Sequence, residues 1–206
     1  INVQPRTLRG LRVGSLPQRI LPPATAVADD RALEEAVDLI HRHRRIVIKA
    51  GGGTRGFPDQ IRALAEAADG VVVLSPGSLG VVADDEPRNM HVGGSKGSHS
   101  GNGAMEEADL LIAVGTRSVC QADCSGIGYP SVRAVINING DLADAAHRNR
   151  TVMLPGDIGK AVEQLVAALS RRRPPAAGEW LERCAERKAR WRAICADATG
   201  CPPLHD

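Results

Sequence analysis

Three groups of residues hold the chemistry this chain could perform. The first is Gly51-Gly52-Gly53-Thr54-Arg55-Gly56, directly after an apolar run, which spells G-x-G-x-x-G. Glycines so spaced let a backbone approach a pyrophosphate and aim amide N–H groups at it. Two features depart from a dinucleotide fingerprint. Phe57-Pro58-Asp59 delays the helix that should open within the glycines, and Ser75 stands where an acidic residue would hold the ribose. A conventional NAD site is not expected. The alternative is a tight strand-to-helix turn in which glycine supplies positive φ.

The second group is the run from Gly93 to Gly103, Gly-Gly-Ser-Lys-Gly-Ser-His-Ser-Gly-Asn-Gly. Successive small residues can shape an anion nest, and a following helix would place its positive dipole end behind it. Gly93 to Gly97 also spells G-x-S-x-G. A nucleophile elbow needs a helix immediately after the serine, and more Gly and Ser follow instead, which argues against a serine hydrolase. Gly159-Lys160 precedes Ala161, so there is no Walker A motif.

The third group is a pair of strand ends, Val114-Gly115-Thr116-Arg117 and Ile138-Asn139-Gly140-Asp141. In an open parallel sheet, ligands sit outside the carboxyl ends of the strands, where such tips can read a ribose or an adenine. Equally, Asp141 can cap the helix it precedes and Arg117 can pair with a loop carboxylate. Lys49 could face the same crevice, although a paired or snorkelling lysine is the simpler reading. Cys120, Cys124, Cys184, Cys195 and Cys201 match no structural zinc spacing. His41 and His43 sit at an Arg-rich helix end, where they favour the dipole, and no histidine pair has metal-ligand spacing.

The elements that must position these groups follow from periodicity. Leu33, Ala36, Val37 and Ile40 form one helical stripe after a capping Asp29 or Asp30; Ile61, Leu64, Ala65 and Ala68 form a second; Val162, Leu165, Val166 and Leu169 form a third. Apolar runs at 46–48, 71–74, 90–92, 110–114, 135–138 and 152–154 predict short buried strands, with brief helices at 104–108 and 141–147. Alternating strand and helix gives an α/β fold, a doubly wound, five- or six-stranded parallel Rossmann-like sheet. An extended Pro- and Arg-rich arm occupies 1–28, the central domain 29–170, and a basic linker with a C-terminal helix 171–206. On that helix Trp180, Cys184, Trp191 and Cys195 can share a face, with Glu179/Arg183 and Glu186/Arg190 as i,i+4 pairs outside.

Composition narrows the class. The chain has 206 residues, 43% hydrophobic and 24% charged, enough for one large domain with extensions. Four aromatics leave Val, Ile, Leu and Ala to build the core, which suits parallel strands under Ala-rich helices. A net charge of +2 gives no global reason to expect nucleic acid, although residues 171–192 hold eight basic against three acidic side chains. No apolar run approaches membrane-spanning length, and no signal peptide is evident. An odd cysteine count without a framework suits a reducing, cytoplasmic compartment. Beginning at Ile1 and ending in Cys-Pro-Pro-Leu-His-Asp, the chain reads as a piece of something longer.

The succession Ile46-Val-Ile-Lys-Ala-Gly-Gly-Gly53, the Gly-rich stretch from His91 to Asn102, Ala108-Asp-Leu-Leu-Ile-Ala-Val-Gly-Thr-Arg117 and Val135-Ile-Asn-Ile-Asn139 resembles one known domain. It is similar to the central domain of thiamine-diphosphate-dependent enzymes, a family that includes acetohydroxyacid synthase, glyoxylate carboligase and trihydroxycyclohexanedione hydrolase. The resemblance covers about residues 30–170 and implies a six-stranded sheet standing between pyrimidine-binding and pyrophosphate-binding domains of one homo-oligomeric enzyme. Thiamine diphosphate and Mg would belong to those flanking domains, and the parent's chemistry, ylid attack on a carbonyl, would make it a transferase, lyase or C–C hydrolase. Here Gly140-Asp141-Leu142 and Gly156-Asp157-Ile158 lack the third glycine of the family's metal motif. The segment by itself is thus expected to have no catalytic residues and no metal.

Some family members hold FAD or ADP against the triple glycine and the strand ends. Carried onto this chain, that implies Gly51, Gly52, Gly53, Gly115, Thr116, Arg117, Asn139 and Asp141. Without an evident aromatic platform for a flavin ring, an adenine nucleotide or an empty pocket is favoured over FAD. The rivals are a free-standing sirtuin-like deacylase, which needs a catalytic His and a Cys quartet not visible here, and an interaction module without a ligand. Partners other than the flanking domains and further copies, such as nucleic acid or a membrane, are not expected.

Overall fold

The computed structural model describes residues 28–117, 124, 127–141, 144 and 151–199. The proposed arm up to residue 27, most of the helix expected over 141–147, and Cys120, His147, Cys201 and His205 lie outside them. In chain order the elements are α1 (Asp30–Arg42), β1 (Ile46–Ala50), α2 (Pro58–Ala67), β2 (Val71–Leu74), β3 (Asn89–Val92), α3 (His99–Glu107), β4 (Leu110–Val114), β5 (Ala134–Asn139), β6 (Thr151–Pro155), α4 (Ile158–Arg171) and α5 (Gly178–Thr199).

All six strands pair in parallel, in the order β3-β2-β1-β4-β5-β6. The order reverses between β1 and β4, so the crevice expected of a doubly wound sheet opens there. The five-residue β1 and β4 and the four-residue β2 are buried along their whole length, which is why β2 and β4 are unbroken apolar runs and β1 is apolar but for Lys49. On one face lie α1, α2 and α4, whose expected stripes bury Ile40, Leu64 and Leu165 against Ile48, Ile112 and Ile136. On the other lie α3 and α5, which cover Val47, Val73 and Leu111 with Met105, Trp180 and Cys184. Among the described residues no helix is long and apolar enough to cross a membrane.

Local chemistry sets the element boundaries. Pro58 takes the first position of α2, where its missing N–H costs nothing, and Asp157 caps α4 by accepting from Lys160 N at 2.9 Å. Asp29 occupies the cap of α1 without a side-chain hydrogen bond. At the other end of α1, His41 and His43 turn Nδ1 onto the carbonyls of Val37 and Leu39, both at 2.7 Å. The helix expected over 104–108 instead begins at His99. Its start was hidden by glycines of low helix propensity, but Ser98 caps it by accepting from Gly101 N, and Gly101 must be bare because a Cβ would lie 2.5 Å from Val92 O. At the sheet edge, His91 adopts φ +63° and the β2–β3 register shifts between Val72 and Leu74. Asn89 Oδ1 holds this bulge by accepting from His91 N.

Helix α5 is more than a solvated outrigger. Trp180 is 3% exposed and donates from Nε1 to Ile46 O, Ala177 N donates to Asp69, and Lys188 Nζ donates to Glu86 O at 2.6 Å. Arg183 departs from the expected pairing with Glu179. It joins Arg187 on Glu107 of α3, because the second sheet face brings that carboxylate closer than the next helical turn. The Glu186/Arg190 pair is likewise absent among the described residues, and Arg190 turns to the α3–α5 cleft instead.

Burial, then the neighbouring Arg192, push Lys188 from 10.5 down to about 8, against the pull of Asp84, Asp85 and Glu86. Between pH 8 and 10.5 the unfolded chain binds the proton more tightly than the folded one, so stability rises with pH across that window. Asp84 and Asp85 border solvent and soften the effect. Urea titrations at stepped pH are expected to gain about 1 kcal/mol across the window, and Lys188→Met is expected to flatten the profile.

Candidate functional site

The candidate residues meet at the carboxyl ends of the strands, and the backbone stitches those ends together. Gly51 N donates to Val114 O at 2.8 Å, Gly53 N to Gly115 O at 3.0 Å, Gly115 N to Ile138 O at 2.9 Å and Gly156 N to Asn139 O at 3.0 Å. Each bond extends a parallel ladder one residue beyond its strand, so β1, β4, β5 and β6 share one continuous rim.

The triple glycine departs from the alternative reading in which positive φ demands it. Gly51 has φ −98°, and none of Gly51, Gly52 and Gly53 is in the left-handed region. What demands glycine is proximity. A Cβ on Gly51 would lie 2.2 Å from Gly115 O and 2.5 Å from Thr116 Cα, and one on Gly53 would lie 3.0 Å from Gly115 Cα. Gly115 itself is left-handed, φ +56°, and faces Gly53 across the same gap. Gly52 alone of the three has room, its nearest neighbour being Gly77 O at 3.6 Å. As the sequence indicated, Phe57 delays the helix, and a short 3-10 turn, Gly52–Thr54, fills the interval.

The other candidates fall beside these. Thr116 and Asn139 are buried, and Asn139 Nδ2 donates to Thr116 O at 2.9 Å while its Oδ1 accepts from Asp141 N at 3.2 Å. Arg117 and Asp141 are exposed. The amides of Gly51, Gly53 and Gly115 and both ends of the Asn139 side chain are thus committed within the protein. Contacts open to a ligand remain at Gly52 and at the exposed Arg117.

Three rim residues escaped the sequence reading. Ile158 places Cδ1 2.9 Å from where a Cβ of Gly53 or Gly115 would sit, flooring the gap between the two tips. Arg55 Nε donates to Gly77 O at 2.6 Å, and Ser78 Oγ donates to Ala50 O at 2.7 Å, tying the loop after β2 to the end of β1. Position in sequence could have flagged Ile158, which opens the helix three residues beyond the tip of β6.

The Gly93 to Gly103 run differs from the expected anion nest. Gly93 N donates to Leu74 O, Gly94 N to Asn102 Oδ1, Gly97 N to Gly94 O and Ser98 N to Val92 O, so these amides face inward. Ser98 and Ser100 are buried, and Ser100 Oγ lies 2.9 Å from Met90 O and 3.1 Å from His91 Nδ1. Burial leaves that Ser–His contact no access to a substrate. Burial, Lys188 and Arg192 all hold the His91 ring below its ordinary value. Of the two readings for Lys49, paired or snorkelling, the structure shows a partnered side chain: it is 2% exposed and donates to Leu74 O and Gly93 O, because it points into the second sheet face. Among the described residues, Cys124 and Cys184 are free thiols, and no three His, Cys, Asp or Glu side chains gather to hold a metal.

A parallel sheet of this order, with glycine tips at its switch point, is shared by many nucleotide-binding folds. A narrower answer comes from comparison with known proteins, in which residues 33–165 match the family model described as thiamine pyrophosphate enzyme, central domain. The chain belongs to this family. It is 28% identical over 181 residues to acetolactate synthase of Mycobacterium bovis, covering 85% of this chain and 29% of that protein. It is 26% identical over 175 residues to the acetolactate synthase isozyme 1 large subunit of Escherichia coli, covering 84% and 29%. With acetolactate synthase 1, chloroplastic, of Oryza sativa it is 27% identical over 151 residues, 73% of this chain and 23% of that one. This central domain therefore spans less than a third of the length of such relatives.

Proposed function

We propose that this chain is the non-catalytic central scaffold of a thiamine-diphosphate-dependent enzyme acting on 2-oxo acids or related C–C bonds. In the parent it stands between a pyrimidine-binding and a pyrophosphate-binding domain of the same polypeptide, within a cytoplasmic homo-oligomer. The observation supporting this reading is the family match over 33–165 in a chain that spans 29% of two acetolactate synthases. Thiamine diphosphate and its magnesium ion then belong to the flanking domains. This domain supplies a rigid plate, since its strand tips are cross-bonded by their own amides.

An adenine nucleotide such as ADP is the ligand whose chemistry the rim suits best. Gly52 offers a close backbone approach, Arg117 can meet a phosphate, and Gly51, Gly53, Gly115, Thr116, Asn139 and Asp141 hold the turn that presents them. Flavin demands a further platform, and Phe57 is engaged against Gly159 at the start of α4. Calorimetry with ADP, FAD, NAD, and thiamine diphosphate plus magnesium tests both parts. Silence with thiamine diphosphate is expected, and any ADP heat should vanish in Gly52→Val. Tight thiamine diphosphate binding, or NAD-dependent turnover of an acyl-lysine peptide, would overturn the scaffold reading.

A further inference from the structure

Two basic runs far apart in sequence, residues 41–45 and 171–173, come together at the end of the sheet opposite the glycine rim. His41 and Arg42 close the last turn of α1, and Arg171 closes that of α4. Arg42 and Arg172 both reach Asp38, at 3.3 and 2.6 Å. Between the start of β1 and the start of α5, Arg44, Arg45 and Arg183, with one carboxylate, Glu179, line a cleft of about 220 Å³ beside Trp180. Arg133, just before β5, is exposed at the same end and donates its backbone N–H to Asp109 O.

The carboxylates here are outnumbered at close range. Asp38 is shared by Arg42 and Arg172, and Glu107 by Arg183 and Arg187. Asp69 is paired with Arg88 at 2.8 Å and also lies in the field of Arg173. Asp109 is engaged by the backbone N–H groups of Arg44 and Arg45 and by the Arg45 guanidinium at 3.9 Å. Arg133, Arg171 and Arg173 form no salt bridge among the described residues. Helix C-termini explain part of the clustering, since each carries about half a negative charge that one cation offsets. The excess beyond that leaves a positive surface on a chain whose net charge is only +2.

We propose that this arginine-rich end is a docking surface for an acidic polypeptide surface, a partner whose contact face is dominated by Asp and Glu. The arginines without a salt bridge are spread from the end of α4 to the start of β5, and the cleft is smaller than the roughly 300–1,000 Å³ of small-molecule sites, so a compact anion does not fit the layout. Single-stranded nucleic acid would seek an open aromatic face, and Trp180 is 3% exposed. The same face of a second copy would meet like charge with like.

Fluorescence anisotropy of the 206-residue chain with a labelled Glu-Ala repeat peptide provides the test, at low salt and at about 0.3 M salt, beside a duplex DNA of matched charge. The peptide is expected to bind at low salt, and the pair Arg171→Glu with Arg173→Glu to weaken it about tenfold or more. Lys96→Glu with Arg190→Glu, the same charge change on exposed residues at the opposite end, is expected to change it less than about twofold. The substituted arginines are exposed and form no salt bridge among the described residues, and circular dichroism of each variant verifies folding. No peptide binding at low salt, equal losses in both pairs, or tighter binding of the duplex than of the peptide would each overturn the proposal.

Discussion

Gly51→Ala is expected to cost about 3 kcal/mol or more, enough to unfold a domain of ordinary stability. The added methyl would sit 2.2 Å from Gly115 O, 2.5 Å from Thr116 Cα and 2.6 Å from Gly115 C. All three are backbone atoms, so no rotamer change relieves the clash. Separating the tips of β1 and β4 would also break the Gly51 N to Val114 O and Gly53 N to Gly115 O bonds that close the ladder. Gly52→Ala is the internal control. Its methyl meets nothing nearer than Gly77 O at 3.6 Å, so chemical denaturation should place it within about 1 kcal/mol of the parent. Equal midpoints for the two variants would refute the account of why the turn needs glycine.

That contrast also marks how far the sequence can be read. Helical stripes such as Leu33, Ala36, Val37 and Ile40, and runs such as Leu110 to Val114, identified the layers and their parallel arrangement, because periodicity depends only on which face is buried. The triple glycine was legible as a special turn, yet the alternative that ascribed it to positive φ does not hold. A φ requirement is a property of one residue, whereas close approach depends on a tip more than sixty residues away, and nothing at position 51 records Gly115. The same limit hid the start of α3. Gly101 and Gly103 weaken a helix locally, but Val92 O and the Arg187 guanidinium press on them from other elements and select them.

The candidate rim was located correctly in space while its hydrogen bonds could not be counted from sequence. Asn139 looks free to read a ligand until the structure places its amide between Thr116 O and Asp141 N. Polar residues at the ends of buried strands serve two masters, since the backbone leaving a sheet must satisfy its own groups before it can offer any to a ligand. In this domain the first demand takes most of them.

Lys49→Met is the second substitution with a large expected effect. Lys49 stands in the middle of an apolar strand, paired in register with Val73 and Ala113, and its side chain enters the second face. Its Nζ donates at 3.1 Å to Leu74 O and at 2.9 Å to Gly93 O, joining the ends of β2 and β3 to β1. Gly93 makes this possible, since a Cβ there would strike Met105 Sδ and Val73 Cγ1 and crowd Nζ at 3.5 Å. Methionine restores most of the volume and removes both donors, so the loss measures hydrogen bonding rather than a cavity. Two bonds to buried carbonyls predict a loss of about 2–3 kcal/mol, with hydrogen exchange fastest at the amides of residues 93–98, whose turn hangs from that anchor. Unchanged stability, or protection lost uniformly across the sheet, would show that the turn is held by Asn102 and Ser98 instead.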